Sequence, residues 1–154
     1  MASLDLEAHV RSLLRRAAGL ELTVGIQAEQ GAERPAADEP TMLEIAQWNH
    51  WGTRRIPARP WLIQARDKYG RDWLRAFAHA VQQPTEDRME TVIRQLGVVA
   101  VSDCQEVLTD LRDPPNAEST IKQKGSDNPL IDTGGLRNAH RAAMTVLGVR
   151  EVIG

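Results

Sequence analysis

Four histidines, one cysteine and a run of acidic residues are the side chains of this sequence best suited to chemistry, and their spacing speaks against most of it. His9, His50, His79 and His140 fall in four different predicted elements, with no HExxH spacing or other metal-ligand pair. Cys104 lies on the apolar stripe of the strongest predicted helix. A thiol nucleophile needs an exposed, electropositive setting, so a core position is expected for it. Asp103 and Asp110 are one heptad apart with Glu106 between them, and Asp113 follows, which is the pattern of a solvated helix face and not of paired catalytic carboxylates. The motifs GxSxG, GxxxxGK[ST] and GxGxxG are absent. Thr133-Gly134-Gly135 before Leu136 would present backbone amides to an anion, with Lys122 and Lys124 nearby, but Asp113, Glu118, Asp127 and Asp132 outnumber those bases. Trp48, Trp51, Trp61 and Trp73 lack the positive field of a nucleic-acid stacking platform and are expected to serve the core and a protein interface. No catalytic residue, cofactor site or metal site is assigned.

The elements that must position these residues follow from periodicity. Leu6, Val10, Leu13, Leu14 and Ala17 recur at helical spacing between a possible Ser3 cap and Gly19. Leu20, Leu22, Val24 and Ile26 then alternate with Glu21, Thr23 and Gly25, as in a strand with one buried face. Residues 27–41 are polar and rich in Ala, Glu, Gly and Pro, and read as a mobile hairpin loop leading to a second strand, Met42 to Trp48. From Pro60 a helix carries Trp61, Ala65, Tyr69, Trp73 and Phe77 every fourth residue, with a kink or break expected at Gly70. After Pro84 a longer one carries Met89, Val92, Ile93, Leu96, Val99, Ala100, Cys104, Val107, Leu108 and Leu111, and Pro114-Pro115 stops it. Residues 113–135 hold no sustained period and read as an extended loop; the rest is one helical turn and a strand through Met144, Val146, Val149 and Val152. The order predicts an α+β domain spanning 1–154, in which a small antiparallel sheet packs against a long helix.

Composition narrows the class. A hydrophobic share of 42% in 154 residues is enough for one folded domain with its own core. The 19 basic and 21 acidic residues leave a formal charge of −2, so neither nucleic acid nor an anionic membrane is favoured as a general partner. A single cysteine excludes an intrachain disulfide, and no apolar run approaches the ~20 residues that span a bilayer; a cytosolic protein is expected.

Two stretches carry a pattern: Glu44-Ile45-Ala46-Gln47-Trp48-Asn49-His50-Trp51-Gly52-Thr53 with Ile56-Pro57-Ala58-Arg59-Pro60-Trp61-Leu62, and Pro115-Asn116-Ala117 through Thr120-Ile121, Lys124-Gly125-Ser126, Pro129-Leu130-Ile131-Asp132-Thr133-Gly134 and Leu136. Together, over about residues 22 to 138, the chain resembles the neck and tail-completion family of tailed bacteriophages, also described as minor tail or virion morphogenesis proteins. Ala139-His140 stands where a Ser-Ile pair commonly follows the leucine, and the tail after Met144 is short. The resemblance implies a non-enzymatic structural subunit without cofactor. It would form a ring, commonly a hexamer, that joins head to tail or completes the tail. Its partners would be copies of itself and neighbouring neck, tail-terminator or tail-tube proteins, with phage DNA passing through the ring without sequence-specific contact. Its place would be the virion, and the host cytoplasm during assembly.

Residues 113–135 are expected to be an assembly arm, because long structureless connections usually bind something. The expected partner-interface residues are Trp51, Ile121, Lys122, Lys124, Leu130 and Ile131; the competing expectation is that the segment folds back over its own sheet edge. Two other classes stay open: a small adaptor or regulatory protein binding a phage or host partner, and a small hydrolase with an unrecognised site.

Overall fold

A computed structural model describes residues 6–125, 127–131 and 133–153, with side chains from residue 8 onward. The chain is α+β, with a three-stranded antiparallel sheet packed against long helices. Its elements are α1 (Leu6–Ala18), β1 (Leu20–Ile26), α2 (Ala28–Gly31), α3 (Met42–Trp51), α4 (Trp61–Val81), α5 (Glu86–Asp110), α6 (Glu118–Lys124), α7 (Gly135–Asn138), β2 (His140–Val146) and β3 (Val149–Ile153). The expected Ser3 cap lies outside the described residues.

Helix α5 is the spine. It packs along α4 and across β1 and β2. Its buried row of Met89, Ile93, Leu96, Gly97, Ala100, Cys104, Val107 and Leu108 follows the three-four spacing of a wide apolar face. At Gly97 the helix presses onto the sheet: a Cβ there would lie 3.0 Å from the Ala142 Cβ and 3.3 Å from the Ile153 Cδ1, so the missing side chain lets the layers close. Helix α4 runs unbroken through Gly70, and Pro60 stands just before its first residue.

The sheet order is β1-β2-β3, pairing the N-terminal strand with the C-terminal hairpin from Leu20↔Val146 to Ile26↔His140. Period two divides its faces. Leu22, Val24, Ala142, Met144 and Ile153 belong to the core against the helices, while Thr23 and Arg150 meet on the other face, where Arg150 also bonds Gln27 and Glu29.

Four expectations need correction. Met42 to Trp48 is helix α3, not a strand, so 27–41 is no hairpin tip, and it contains α2. The deciding signal is a capping box: Glu44 N donates to Thr41 Oγ1 (3.1 Å) while Thr41 N donates to Glu44 Oε2 (2.8 Å). Short apolar runs do not distinguish strand from helix by period, and reciprocal capping does. Gly70 does not split α4. The loop 113–135 contains α6. The single C-terminal strand is a hairpin, turned by Leu147 and Gly148 at φ 48° and 84°, the two positive φ values that a type I′ turn demands.

Leucine is a poor residue for that turn, because its Cβ meets the carbonyl in the left-handed region. Its side chain is 80% exposed. Leu147→Asn, which completes an Asn-Gly turn, is expected to raise the unfolding free energy by about 1 kcal/mol. Urea denaturation with an unchanged slope would measure it, and an unaltered or lower midpoint would show that the leucine is held there by packing.

Candidate functional site

The residues best suited to chemistry are occupied with structure. Cys104 is 2% exposed, and burial, helped by neighbouring Asp103, pushes its thiol up to about 12, far from a thiolate at neutral pH. Asp103 accepts a hydrogen bond from Trp73 Nε1 at 2.7 Å. Glu106 accepts from Lys68 Nζ (2.8 Å) and from the Tyr69 hydroxyl (2.5 Å), so these carboxylates of α5 tie it to α4. Thr133, Gly134 and Gly135 lead into α7, a single turn that concentrates little dipole. Among the described residues no three His, Cys, Asp or Glu side chains gather closely enough to hold a metal ion, and no helix is long and apolar enough to cross a membrane.

What the fold does bring together are the two motif stretches. Gly52, at φ 78°, turns the chain out of α3; a Cβ there would come within 2.8 Å of Ala58 N. The loop that follows is locked by Thr53 N donating to Ile56 O (2.7 Å), by Ile56 N donating to Thr53 Oγ1 (3.0 Å) and by Arg59 N donating to Asn49 O (2.8 Å). Arg59 is 2% exposed and carries its charge into the second stretch. Its Nε donates to Pro114 O at 2.8 Å, and its Nη2 to Pro115 O at 3.1 Å and Asn116 Oδ1 at 3.2 Å. A guanidinium presents a rigid fork of donors, and here two carbonyls and an amide oxygen match it. Burial lowers its pKa from the ordinary value, but arginine starts so high that it stays charged.

Two residues further on, Trp61 is 1% exposed and donates through Nε1 to His140 Nε2 at 2.9 Å. His140 Nδ1 lies 3.0 Å from Leu136 O, so the neutral tautomer with the proton on Nδ1 satisfies both contacts. His50 closes the group edge-on against Trp61, ring centroids 4.9 Å apart. Burial lowers the pKa of both histidines, in His140 against the opposing pull of the Arg137 and Leu136 carbonyls.

The expected site residues divide. Trp51 is 69% exposed and Trp48 41%, so of the tryptophans expected to serve the core and an interface, Trp61 lies in the core and these two lie at the surface. Leu130 is 5% exposed, which withdraws it from any surface, and Ile131 packs against the same core. The segment is pinned by Asn128, whose Nδ2 donates to Thr109 O (2.7 Å) while its Oδ1 accepts from Leu130 N (3.0 Å) and Ile131 N (3.1 Å). The described part of the segment therefore folds back onto the core at the C-terminal end of α5. Lys122 stays exposed and Ile121 half-buried; Lys124 Nζ donates to Asn128 O at 3.1 Å. A cleft of about 260 Å³ separates Lys124 and Leu130 from Met42, Ile45 and Asn49 of α3, and Trp51 stands two residues beyond Asn49. Sequence reasoning missed Arg59 and His140 as structural hubs. An arginine between two prolines in a motif was the available signal for the first; nothing local marked the second. None of the protein families, curated proteins or solved structures compared with the chain matches it.

Truncating a fully buried aromatic removes packing and here also orphans a histidine nitrogen, so Trp61→Ala is expected to lose about 3–5 kcal/mol of stability. Trp51→Ser, at an exposed position, should stay within about 0.5 kcal/mol of the parent in the same denaturation experiment. Equal losses for the two would contradict the burial described.

A pH effect has a definite sign. The unfolded state binds more protons wherever a folded-state histidine pKa is depressed, so stability contributed by neutral His50 and His140 is complete above about pH 6.5 and is lost as pH falls toward their folded values. Melting temperature between pH 7.5 and 5 should fall with acidification. A flat profile across that window would show that neither ring is kept neutral.

Proposed function

We propose that this chain is a non-catalytic structural subunit of a tailed-bacteriophage virion, acting as an oligomeric ring, a hexamer, that joins head to tail or completes the tail. One observation carries the proposal. The two stretches that resemble neck and tail-completion proteins are more than fifty residues apart and meet through Arg59, which binds Pro114, Pro115 and Asn116. Positions shared with such a family are thereby used to hold backbone in place, as expected of a subunit whose work is to present a shaped surface. Beside that clamp, Trp48 and Trp51 are exposed at the end of α3, large aromatics of the kind that anchor protein interfaces. In this reading the partner face is Trp51 with Lys122 and the accessible parts of Ile121 and Lys124. Leu130 and Ile131 support it from within. Neighbouring rings of the neck or tail are its partners, phage DNA passes through the ring, and the chain resides in the virion after assembly in the host cytoplasm.

Complementation tests the role. A phage lacking the gene is supplied with the parent or with Trp51→Ser, after denaturation has confirmed that the variant is folded. Parental protein should yield complete particles, and the variant unjoined heads and tails or incomplete tails. Particles and assembly intermediates that contain none of this chain at any stage would sink the virion role. A soluble complex with a host protein in their place would favour the adaptor class.

A further inference from the structure

Helices α4 and α5 leave an apolar groove between them of about 450 Å³, with Tyr69, Trp73, Val92, Leu96 and Val99 in its lining. Val99 is 53% exposed. The charged residues in this lining are both acidic, Asp72 on the α4 wall and Asp103 on the α5 wall. Among the described residues Asp72 pairs with Arg75 on its own helix, a solvent-exposed contact worth little in water.

Helix α1 has the complementary character. Val10 and Leu14, one turn apart on the same face, are 44% and 64% exposed, and Arg11 and Arg15 follow one step round the helix. No α1 residue lines the groove. Within its own chain α1 lies elsewhere, where Ser12, Arg15 and Arg16 border a cleft with Glu86, Met89, Val146 and Leu147, and Arg16 donates to the Gln83 carbonyl. An amphipathic helix leaving two large apolar side chains in water, and a mostly apolar groove with acidic walls, are unmatched halves of one chain.

We infer that the α4–α5 groove receives helix α1 of a second copy of this chain, with Val10 and Leu14 laid against Trp73 and Val99 and the exposed Arg15 of α1 set toward Asp72. Helix and groove are different surfaces, so the contact is head-to-tail and repeats from copy to copy, closing a ring where the rotation allows. Opposite charge fixes the orientation of the helix more than it adds affinity. A single helix face buries less than the ~1,200 Å² of a stable interface, so the isolated chain associates weakly and in proportion to concentration. The inference deepens the proposed ring and rests on that reading for its place in a virion, whereas the contact itself is testable on the purified chain.

Sedimentation velocity of the full chain over rising concentration should show reversible oligomers. Leu14→Asp and Val99→Asp, both at exposed positions and each checked for an unchanged melting curve, should weaken self-association at least tenfold. Arg15→Asp should weaken it less, with partial recovery in a mixture with Asp72→Arg. A chain carrying L14C, mixed with a differently tagged chain carrying V99C, should give a disulfide-linked heterodimer under mild oxidation, with Cys104 too buried to compete. A chain that stays monomeric throughout, a Leu14→Asp variant that associates like the parent, or cross-links between two L14C chains in place of the heterodimer would each overturn the inference. Self-association that follows these expectations, from a protein absent from particles at every stage, would count against the virion role alone.

Discussion

The hydrogen bond from Trp61 Nε1 to His140 Nε2 is the contact on which most of this chain's geometry depends. It is fully buried and joins the first residue of α4 to the first residue of β2. An indole N–H has no alternative to a single partner, and an orphaned one inside a core costs roughly 1–3 kcal/mol. His140 must therefore stay neutral with Nε2 free to accept, and the Leu136 carbonyl favours that tautomer by accepting a hydrogen bond from Nδ1–H. Since β2 lies between β1 and β3, fixing its start fixes the register of the whole sheet. Trp61 belongs to one of two cores, gathered with Cys104, Leu108 and Leu136, and Val24 of β1 packs against both this one and the other, between α5 and the sheet around Ile93, Ala142 and Met144.

Arg59 performs the parallel task for the irregular segments. Loops this long normally run over the surface because their backbone groups need partners. Here a buried guanidinium supplies them, taking three acceptors from 114–116 while its own backbone N–H holds the end of α3. Asn128 repeats the device below α5 with an amide. Exposed ion pairs such as Arg66–Asp67 add little by comparison, since water screens them and both side chains lose entropy in forming them.

The long elements were legible because their periods extend over many residues. Helix α5 buries most of the stripe that the sequence places there, Cys104 included, although Val99 is exposed, and β1 runs from Leu20 to Ile26 as the sequence places it. What failed was short or non-local. Helix α3 is ten residues long, and its short apolar run of Met42, Leu43, Ile45 and Ala46 does not tell strand from helix, whereas its Thr41–Glu44 box was a visible helical signal. Turn chemistry failed at Leu147-Gly148 because leucine is the wrong residue to announce a positive φ. The candidate interface was half legible: Trp51 and Lys122 are exposed as an interface needs, whereas Leu130 and Ile131 were read as anchors for a partner and anchor their own core. Composition names an apolar residue in a polar loop; it does not say whether the surface it meets belongs to the same chain.

Several large apolar side chains remain in water after both cores are complete, among them Leu14, Trp51, Leu74, Val99 and Leu147. Exposed apolar atoms are ordinary on a small protein, so their number alone decides nothing. Their distribution does more. Leu14 is on α1, Trp51 at the end of α3, Leu74 and Val99 on the α4–α5 pair, and Leu147 at the tip of the β2–β3 hairpin, so they are spread over different elements of the fold. A permanent dimer would favour a single self-complementary surface, since a two-fold contact uses the same patch twice. Dispersed small patches suit a subunit held by several weak contacts at once, where each contact raises the effective concentration of the next and none is strong enough to drive association alone. The ring subunit proposed above would meet that description, and such weak contacts would leave free copies dispersed until neighbours gather them.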